Sequence, residues 1–203
     1  MKKTLTLSLF AKFLFLALIF SSCSKDDDPE PKIKNEFQIG DETLTIDYGI
    51  LVDFGSFDPI GSDNESSNHY NYYFVLTNGE PGPYEDYWQS ESNTYRVYFE
   101  LFSNGSEGFK PGTFTYLNKE KATKETIKNK SFFFDVDYSE SDNFKSDEAG
   151  DKAIGGTVKV SKGQSEYEYI IEFELELASG KTLKGAYSGV FKFVCDNKDC
   201  NNE

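Results

Sequence analysis

Residues 169–177 constrain the fold of this chain most, because apolar and polar side chains alternate along them. Glu172, Glu174 and Glu176 fall on one side, and the other side is apolar: Tyr169, Ile171, Phe173, Leu175 and Leu177. A period of two residues is that of a β-strand buried on one side only. Residues 178–181 predict a turn, and residues 183–193 predict a return strand whose Lys184 and Lys192 face the glutamates.

The first arm of this hairpin, residues 166–177, has an expected length of roughly 40 Å, which exceeds the usual five or six residues. Phe and Tyr account for 19 and 13 of the 203 residues, and both are favoured in strands. Long helical periodicities are scarce. The chain is therefore predicted to be all-β, an antiparallel β-sandwich or a lipocalin-like barrel with long strands and a long C-terminal hairpin.

Alternation and turn residues place the other elements. The predicted strands are a hairpin at residues 37–46 turning at Gly40-Asp41, and then 48–54, 69–77, 95–102, 113–117, 131–138 and 156–161. Residues 55–68, 84–93 and 139–152 are predicted loops, and residues 119–130 are the one helix-like stretch. Gly185 and Gly189 flank Tyr187 on one side of the last strand, which indicates a bend or a close crossing.

The N-terminus has the organisation of a secretory signal peptide, residues 1–22. Two lysines at the start precede an apolar segment, residues 5–20, whose longest uninterrupted run is residues 13–20. That run is too short for a membrane-spanning helix, which needs about 20 apolar residues. The small residues Ser21 and Ser22 then suit a signal-peptidase pocket.

Ser21-Ser22-Cys23 resembles the lipobox of bacterial lipoproteins, a family in which the chain is cut before the cysteine and Cys23 would carry acyl chains. Each buried methylene adds about 0.8 kcal/mol, so two or three acyl chains hold a protein on a bilayer. The alternative is an ordinary signal peptide with an incidental cysteine.

The run Lys25-Asp26-Asp27-Asp28 resembles the acidic export signal that sends lipoproteins of Bacteroidota-type bacteria to the outer face of the outer membrane. The alternative is a solvated charge run in a linker. Pro29 and Pro31 stiffen the predicted tether, residues 23–34. Residues 35–203 are long enough for one all-β domain with a core of its own.

The formal net charge is −14, and it becomes more negative without the lysine-containing leader. Such a chain is repelled by phosphate backbones and by anionic lipid, so nucleic acid is not an expected partner. The expected partners are the membrane, through the lipid anchor, and a glycan or protein ligand. In an oxidising compartment, Cys195 and Cys200 predict a disulfide, with metal binding as the weaker alternative.

No set of catalytic residues is apparent in the sequence, and we predict that the protein is not an enzyme. His69 is the only histidine, it lies at the start of a predicted strand, and no nucleophile elbow accompanies it. A hydrogen-bonded or solvated ring is the expected state of His69. The 35 acids leave open a carboxylate pair for glycosidic cleavage.

Two groups of residues are candidate ligand sites. Asp135, Asp137 and Ser139 have the alternating oxygens of a calcium loop, but they lack the glycine and glutamate of an EF-hand. Tyr84, Tyr87 and Trp88 combine aromatic rings with carboxylates beside a Pro-Gly turn, a combination that suits a sugar ring or a protein interface. The alternative is that Trp88 folds inward to close the core.

The order of the blocks also resembles that of uncharacterised outer-membrane lipoproteins of Bacteroidota. The matching features are Tyr-rich strands, Pro111-Gly112-Thr113-Phe114, and Ser179-Gly180-Lys181 followed by the glycines around Tyr187. The resemblance implies an all-β surface lipoprotein and assigns no active residue. Three functions stay open: a non-enzymatic binder of a glycan or protein, a lipocalin-like carrier of a small apolar ligand, and a secreted-type hydrolase.

Replacement of the lipobox cysteine tests the predicted location. A Cys23→Ala chain is expected to lose metabolic palmitate label and to keep its leader, because the acceptor thiol is absent. Label and apparent mass are compared with wild type on denaturing gels. Equal label in both chains would contradict lipidation at this cysteine.

Overall fold

The computed structural model describes residues 33–61, 68–81, 95–140 and 150–195, and all of them fall in one compact unit that begins at Ile33. Within these residues the chain forms the following strands: β1 Glu36–Ile39, β2 Glu42–Thr45, β3 Tyr48–Phe57, β4 His69–Thr77, β5 Tyr95–Asn104, β6 Gly112–Tyr116, β7 Phe132–Glu140, β8 Asp151–Lys162, β9 Glu168–Leu177, β10 Thr182–Val190 and β11 Lys192–Cys195. The all-β prediction is confirmed.

A 3-10 turn, Lys119–Lys121, and one short helix, α1 (Lys124–Ile127), connect β6 to β7. The Thr123 hydroxyl accepts from the Thr126 N–H, and the Thr126 side chain accepts from the Thr123 N–H, which is a capping box. Ile127 anchors α1 by packing among buried phenylalanines of β5 and β7. No helix in the described residues has both the length and the apolar character needed to cross a membrane.

All the strands belong to one sheet, in the order β11-β3-β4-β5-β7-β6-β8-β9-β10-β1-β2. Most neighbours are antiparallel, whereas β11 with β3 and β6 with β7 are parallel. Only residues 46 and 47 separate β2, at one edge, from β3, near the other edge. Because three residue steps span at most about 11 Å, this connection requires the sheet to curl, and it forms a half-barrel.

The inner face of the curled sheet is filled by aromatic rings from opposite sides. Phe99 of β5 meets Phe173 of β9 edge to face at 5.2 Å between ring centroids. Phe37 of β1 contacts Tyr95 of β5 at 5.4 Å in the same manner. Such pairs contribute about 0.5–1.5 kcal/mol each beyond the area that they bury. The interior is therefore a packed aromatic core.

Strand β3 is longer than predicted, and the loop prediction for residues 55–68 is wrong at its start. The strand runs to Phe57 through a register shift between Asp53 and Gly55. Gly55 takes a φ of 77°, and its N–H donates to the Asp53 carboxylate at 2.7 Å. A glycine bulge thus lets the strand continue past a residue that predicts a turn. Residues 62–67 lie outside the described residues.

The predicted return strand at residues 183–193 is wrong as a single arm. Strand β10 ends at Val190, and β11 pairs in parallel with β3, so that Lys192 lies opposite Ile50 and not opposite a glutamate. Phe191, 2% exposed, turns into the core at the break. The predicted acidic loop 139–152 is likewise shorter, because β7 extends to Glu140 and β8 begins at Asp151.

The expected close approach at the glycines of β10 is present. A Cβ on Gly185 would touch the side chain of Phe37 and lie 2.7 Å from the Glu36 carbonyl oxygen. Gly189 has the Tyr187 hydroxyl at 2.8 Å from the same constructed atom. The absence of a side chain at Gly185 therefore allows β1 and Phe37 to seat against β10.

A Gly185→Ala chain is expected to lose about 1–3 kcal/mol of unfolding free energy, because the new methyl group overpacks the β1–β10 contact. Gly112→Ala is the matched control, since nothing lies within 4 Å of its constructed Cβ. Urea unfolding followed by tyrosine fluorescence gives both values. Equal stability of the two variants would contradict the close approach.

Candidate functional site

A hollow of about 540 Å³ lies on the outer face of the sheet, over β8, β9, β10, β1 and β2. We call it the outer groove. It is lined by Lys34, Glu36, Phe37, Gln38, Thr43, Thr157, Lys159, Glu172, Phe173, Glu174, Lys184, Gly185 and Ala186. Its volume is within the range of about 300–1,000 Å³ that is common for ligand sites.

Strand register places the polar side chains of the groove in two rows. The first row runs across four strands through Lys159, Glu172, Ala186 and Glu36. The second runs across five strands through Thr157, Glu174, Lys184, Gln38 and Thr43. Ala186 is the one short apolar side chain in these rows, so it forms a low floor between two glutamates.

Three ion pairs form the walls of the groove. Lys159 donates to Glu172 at 2.6 Å and Lys184 to Glu174 at 3.0 Å, each across neighbouring strands. Lys34 and Glu36 lie 3.9 Å apart. All six side chains stay more than 40% exposed, and exposed pairs of this kind contribute about 0.2–1 kcal/mol. They define the charge pattern of the groove more than the stability of the fold.

The groove is locally neutral although the chain is strongly acidic. Its three lysines balance its three glutamates, whereas the formal net charge of the whole chain is −14. Gln38, Thr43 and Thr157 add uncharged groups that both donate and accept hydrogen bonds. The lining can therefore satisfy a ligand that carries many hydrogen-bonding groups.

The groove is better arranged for binding than for proton transfer. Glu172 and Glu174 are alternate residues of β9, about 7 Å apart along the strand, which is a spacing that glycosidases use. Each carboxylate is held by a lysine at 3.0 Å or less. A glycosidase needs one of its two carboxyl groups free to reach the glycosidic oxygen, whereas both groups here accept from lysine ammonium groups.

A smaller hollow of about 250 Å³ lies where the chain passes between the two ends of the sheet. Its lining includes Asp47, Tyr48, Glu80, Val190 and Lys192. Val190 is 65% exposed and Tyr48 38% exposed, so this hollow combines apolar surface with charged groups. It is less than half as large as the outer groove.

The outer face of β4, β5 and β7 carries a second polar cluster. The Tyr73 hydroxyl donates to Glu100 at 3.0 Å, and burial raises the pKa of Glu100 although this bond lowers it. Burial also raises the pKa of Asp137, against the opposing effect of Arg96 and Lys152. One oxygen of Asp137 is buried without a hydrogen-bond partner among the described residues.

The residues predicted to bind calcium lie on the extended strand β7 and not in a loop. Asp135 forms an ion pair with Lys152 at 3.1 Å, and the Ser139 hydroxyl accepts from Arg96 at 3.2 Å. Asp137 lies between them on the same face. Within the described ranges, no group of three or more His, Cys, Asp or Glu side chains has an arrangement that could hold a metal ion. Calcium binding at these residues stays a prediction.

His69 is buried and hydrogen-bonded, one of the two states expected from the sequence. It is 1% exposed, its Nε2–H donates to the Lys130 carbonyl at 3.1 Å, and its Nδ1 lies 2.5 Å from the side-chain amide of Asn68. Burial lowers the pKa of His69, although the Lys130 and Ile127 carbonyls raise it. The ring joins β4 to the segment that follows α1.

Several predicted site residues lie outside the described residues: Cys23, the export signal Lys25-Asp26-Asp27-Asp28, the aromatic cluster Tyr84, Tyr87 and Trp88, and Cys200. Cys195 ends β11. Because Cys200 lies outside the described residues, the disulfide between the two cysteines stays a prediction. The outer groove was not predicted as a site. The sequence predicts that Lys184 faces the glutamates of β9 without assigning it a partner, and the structure pairs it with Glu174. Outward polar alternation on β1 and β8 was the available signal for the rest.

No protein-family model matches the chain, and the searches of curated proteins and of solved structures found no match. The chemistry of the groove therefore follows from its own side chains.

Acidification is expected to destabilise the protein through His69. Its folded-state pKa is lowered, so its contribution is present above about pH 6.5 and is lost as the pH falls toward the folded-state pKa. Between pH 7.5 and 5, the unfolding free energy of wild type should therefore fall by more than that of His69→Gln. Glu100 and Asp137, with raised pKa values, gain stability on acidification in both proteins and cancel in the comparison. An equal change in both would contradict a neutral buried ring.

Proposed function

We propose that this chain is a lipoprotein anchored through Cys23 at the surface of the outer membrane, and that its β-domain binds a glycan or a protein ligand without catalysis. The observation that carries the binding role is the outer groove, with its volume of about 540 Å³ and its paired charges. Concave sites with convergent polar groups are the usual form of a ligand site.

The proposed location rests on the sequence. Cys23 follows an apolar leader and small residues, and the acidic run at residues 26–28 follows it. A soluble, strongly acidic domain suits display on a crowded surface because like charges keep such chains apart. The predicted tether, residues 23–34, includes Lys34, which reaches the groove lining. An anchor at Cys23 would thus begin eleven residues before the groove.

The lipocalin-like alternative has less support, because the inner face of the sheet is occupied. Phe74, Phe99 and Phe114 are all fully buried there. The two hollows described above both include exposed charged side chains. A small apolar ligand could enter only if the aromatic core opened, and the core would then lose its packing contacts.

The hydrolase alternative depends on Glu172 and Glu174, the carboxylates of the groove. Their pairing with Lys159 and Lys184 opposes a role as proton donor.

Three further features remain part of the proposal. They are calcium at Asp135, Asp137 and Ser139, a disulfide between Cys195 and Cys200, and a ligand contact through Tyr84, Tyr87 and Trp88. The aromatic cluster follows Pro81 in the sequence, and Pro81 lines the smaller hollow.

Site-specific cross-linking on intact cells tests the proposed site. A photoreactive residue replaces Thr43, an exposed residue of the groove lining, in the full chain with its leader. The expected result is a covalent adduct with an extracellular glycan or protein, because a bound ligand would lie within reach of this edge strand.

The control places the same photoreactive residue at Thr182, which is exposed on β10 and does not line the groove. Adducts at position 43 and not at position 182 would support a ligand site in the groove. Adducts at neither position, or equally at both, would contradict it.

A further inference from the structure

We infer that the outer groove takes a neutral, hydroxyl-rich oligosaccharide, a conclusion that rests on the proposed role of this groove as the ligand site. Three properties of the lining favour this class: its charge balance, its mixture of donors and acceptors, and its low open floor. Each is set by residues of β1, β2, β8, β9 and β10.

The charge balance disfavours a charged ligand. An anion would compete with Glu172 for Lys159 or with Glu174 for Lys184, at contacts of 2.6 and 3.0 Å, in a lining with no net charge to attract it. A cation would meet the same difficulty with the lysines. A neutral ligand leaves all three pairs in place, so its binding requires no change in the walls. The lining therefore selects against charged ligands, because its lysines and glutamates are already paired with one another.

Hydroxyl groups match the hydrogen-bonding inventory of the groove. Lysine ammonium groups donate, glutamates accept, and Gln38, Thr43 and Thr157 do both. A sugar hydroxyl also donates and accepts, so adjacent hydroxyls of one ring can bridge a lysine and a glutamate of the same pair. Each of the two cross-strand rows contains one such lysine–glutamate pair between β8 and β1.

The shape of the groove suits a chain of sugar units. Ala186 leaves the floor low between Glu172 and Glu36, and Gly185 lets Phe37 approach beneath it. β2 ends the sheet order on this side. No further described strand closes the groove beyond Thr43, so an oligomer can extend past the edge.

Titration calorimetry tests the inference. The chain is expressed with its leader and purified in detergent, so that it keeps the predicted lipid on Cys23. The ligands are neutral hexaoses of glucose, mannose, galactose and xylose, an acidic oligogalacturonate, and a basic chitosan hexaose. At least one neutral hexaose is expected to bind. Its affinity should change less than about twofold between 50 and 500 mM NaCl, because salt screens interactions between charges and a neutral sugar has none.

Two variants link binding to the groove. Ala186→Trp fills the floor and should weaken binding by about tenfold or more, which corresponds to 1.4 kcal/mol. Gln38→Ala removes an exposed amide from the lining and provides a second test that does not depend on tolerance of a large side chain. Thr182→Trp, on the same strand and face but outside the lining, should leave the affinity unchanged. Thermal unfolding of each variant establishes that it is folded.

Binding of the acidic or basic oligosaccharide alone, lost in Ala186→Trp, would overturn the inference and leave the groove as a ligand site. Neutral binding that both groove variants retain would also overturn it, because the sugar would then bind elsewhere. If no oligosaccharide binds and cross-linking at Thr43 captures a protein, the inference fails and the proposed function stands. If neither occurs, both fail.

Discussion

Edge-to-face packing of aromatic rings between opposite parts of one sheet holds this fold together. The contacts Phe99–Phe173 and Phe37–Tyr95 join β5 to β9 and to β1, strands that are not hydrogen-bonded neighbours. Together with the short β2–β3 connection, they keep the apolar face of the curled sheet away from water. Because rings fill the concave side, the outward side is the surface left for recognition. The placement of the candidate site on the outer face therefore follows from how the core is filled.

The same curvature also separates two kinds of outer surface. Over β8, β9, β10 and β1, outward lysine, glutamate, threonine and glutamine side chains surround Ala186 and form the groove. Over β3, β4 and β11, outward side chains include the buried Ile50, Val52 and Val75. Near α1 the outer face is again apolar, under Ile127. The first of these surfaces combines an opening of about 540 Å³ with exposed hydrogen-bonding groups.

Local alternation was sufficient to predict β9, because the polarity of the side chains from residue 169 to 177 indicates which face of the strand is buried. It also predicted that Lys184 faces the glutamates of β9, a placement that depends on one tight turn and that the Lys184–Glu174 pair confirms. It was insufficient at Phe191 and Phe193, where the alternation continues although the chain changes its partner strand. That choice of partner strand depends on β3, about 140 residues earlier.

The floor of the groove could not be predicted for a similar reason. Ala186 forms a depression only because Glu36 and Glu172 flank it in register. A hydrogen-bonded ring was one of the two states that the sequence predicted for His69, but its partner carbonyl, 61 positions away, could not be predicted.

Pairing of β1 with β10 and of β11 with β3 has a consequence for the order in which the chain acquires its shape. Each ladder joins one of the first three strands to one of the last two. Loop closure over such separations is slow, and neither ladder can form until the C-terminal residues are available. A chain still emerging from the ribosome therefore lacks the strands that complete both ladders. The topology postpones closure of the sheet until β10 and β11 have been synthesised.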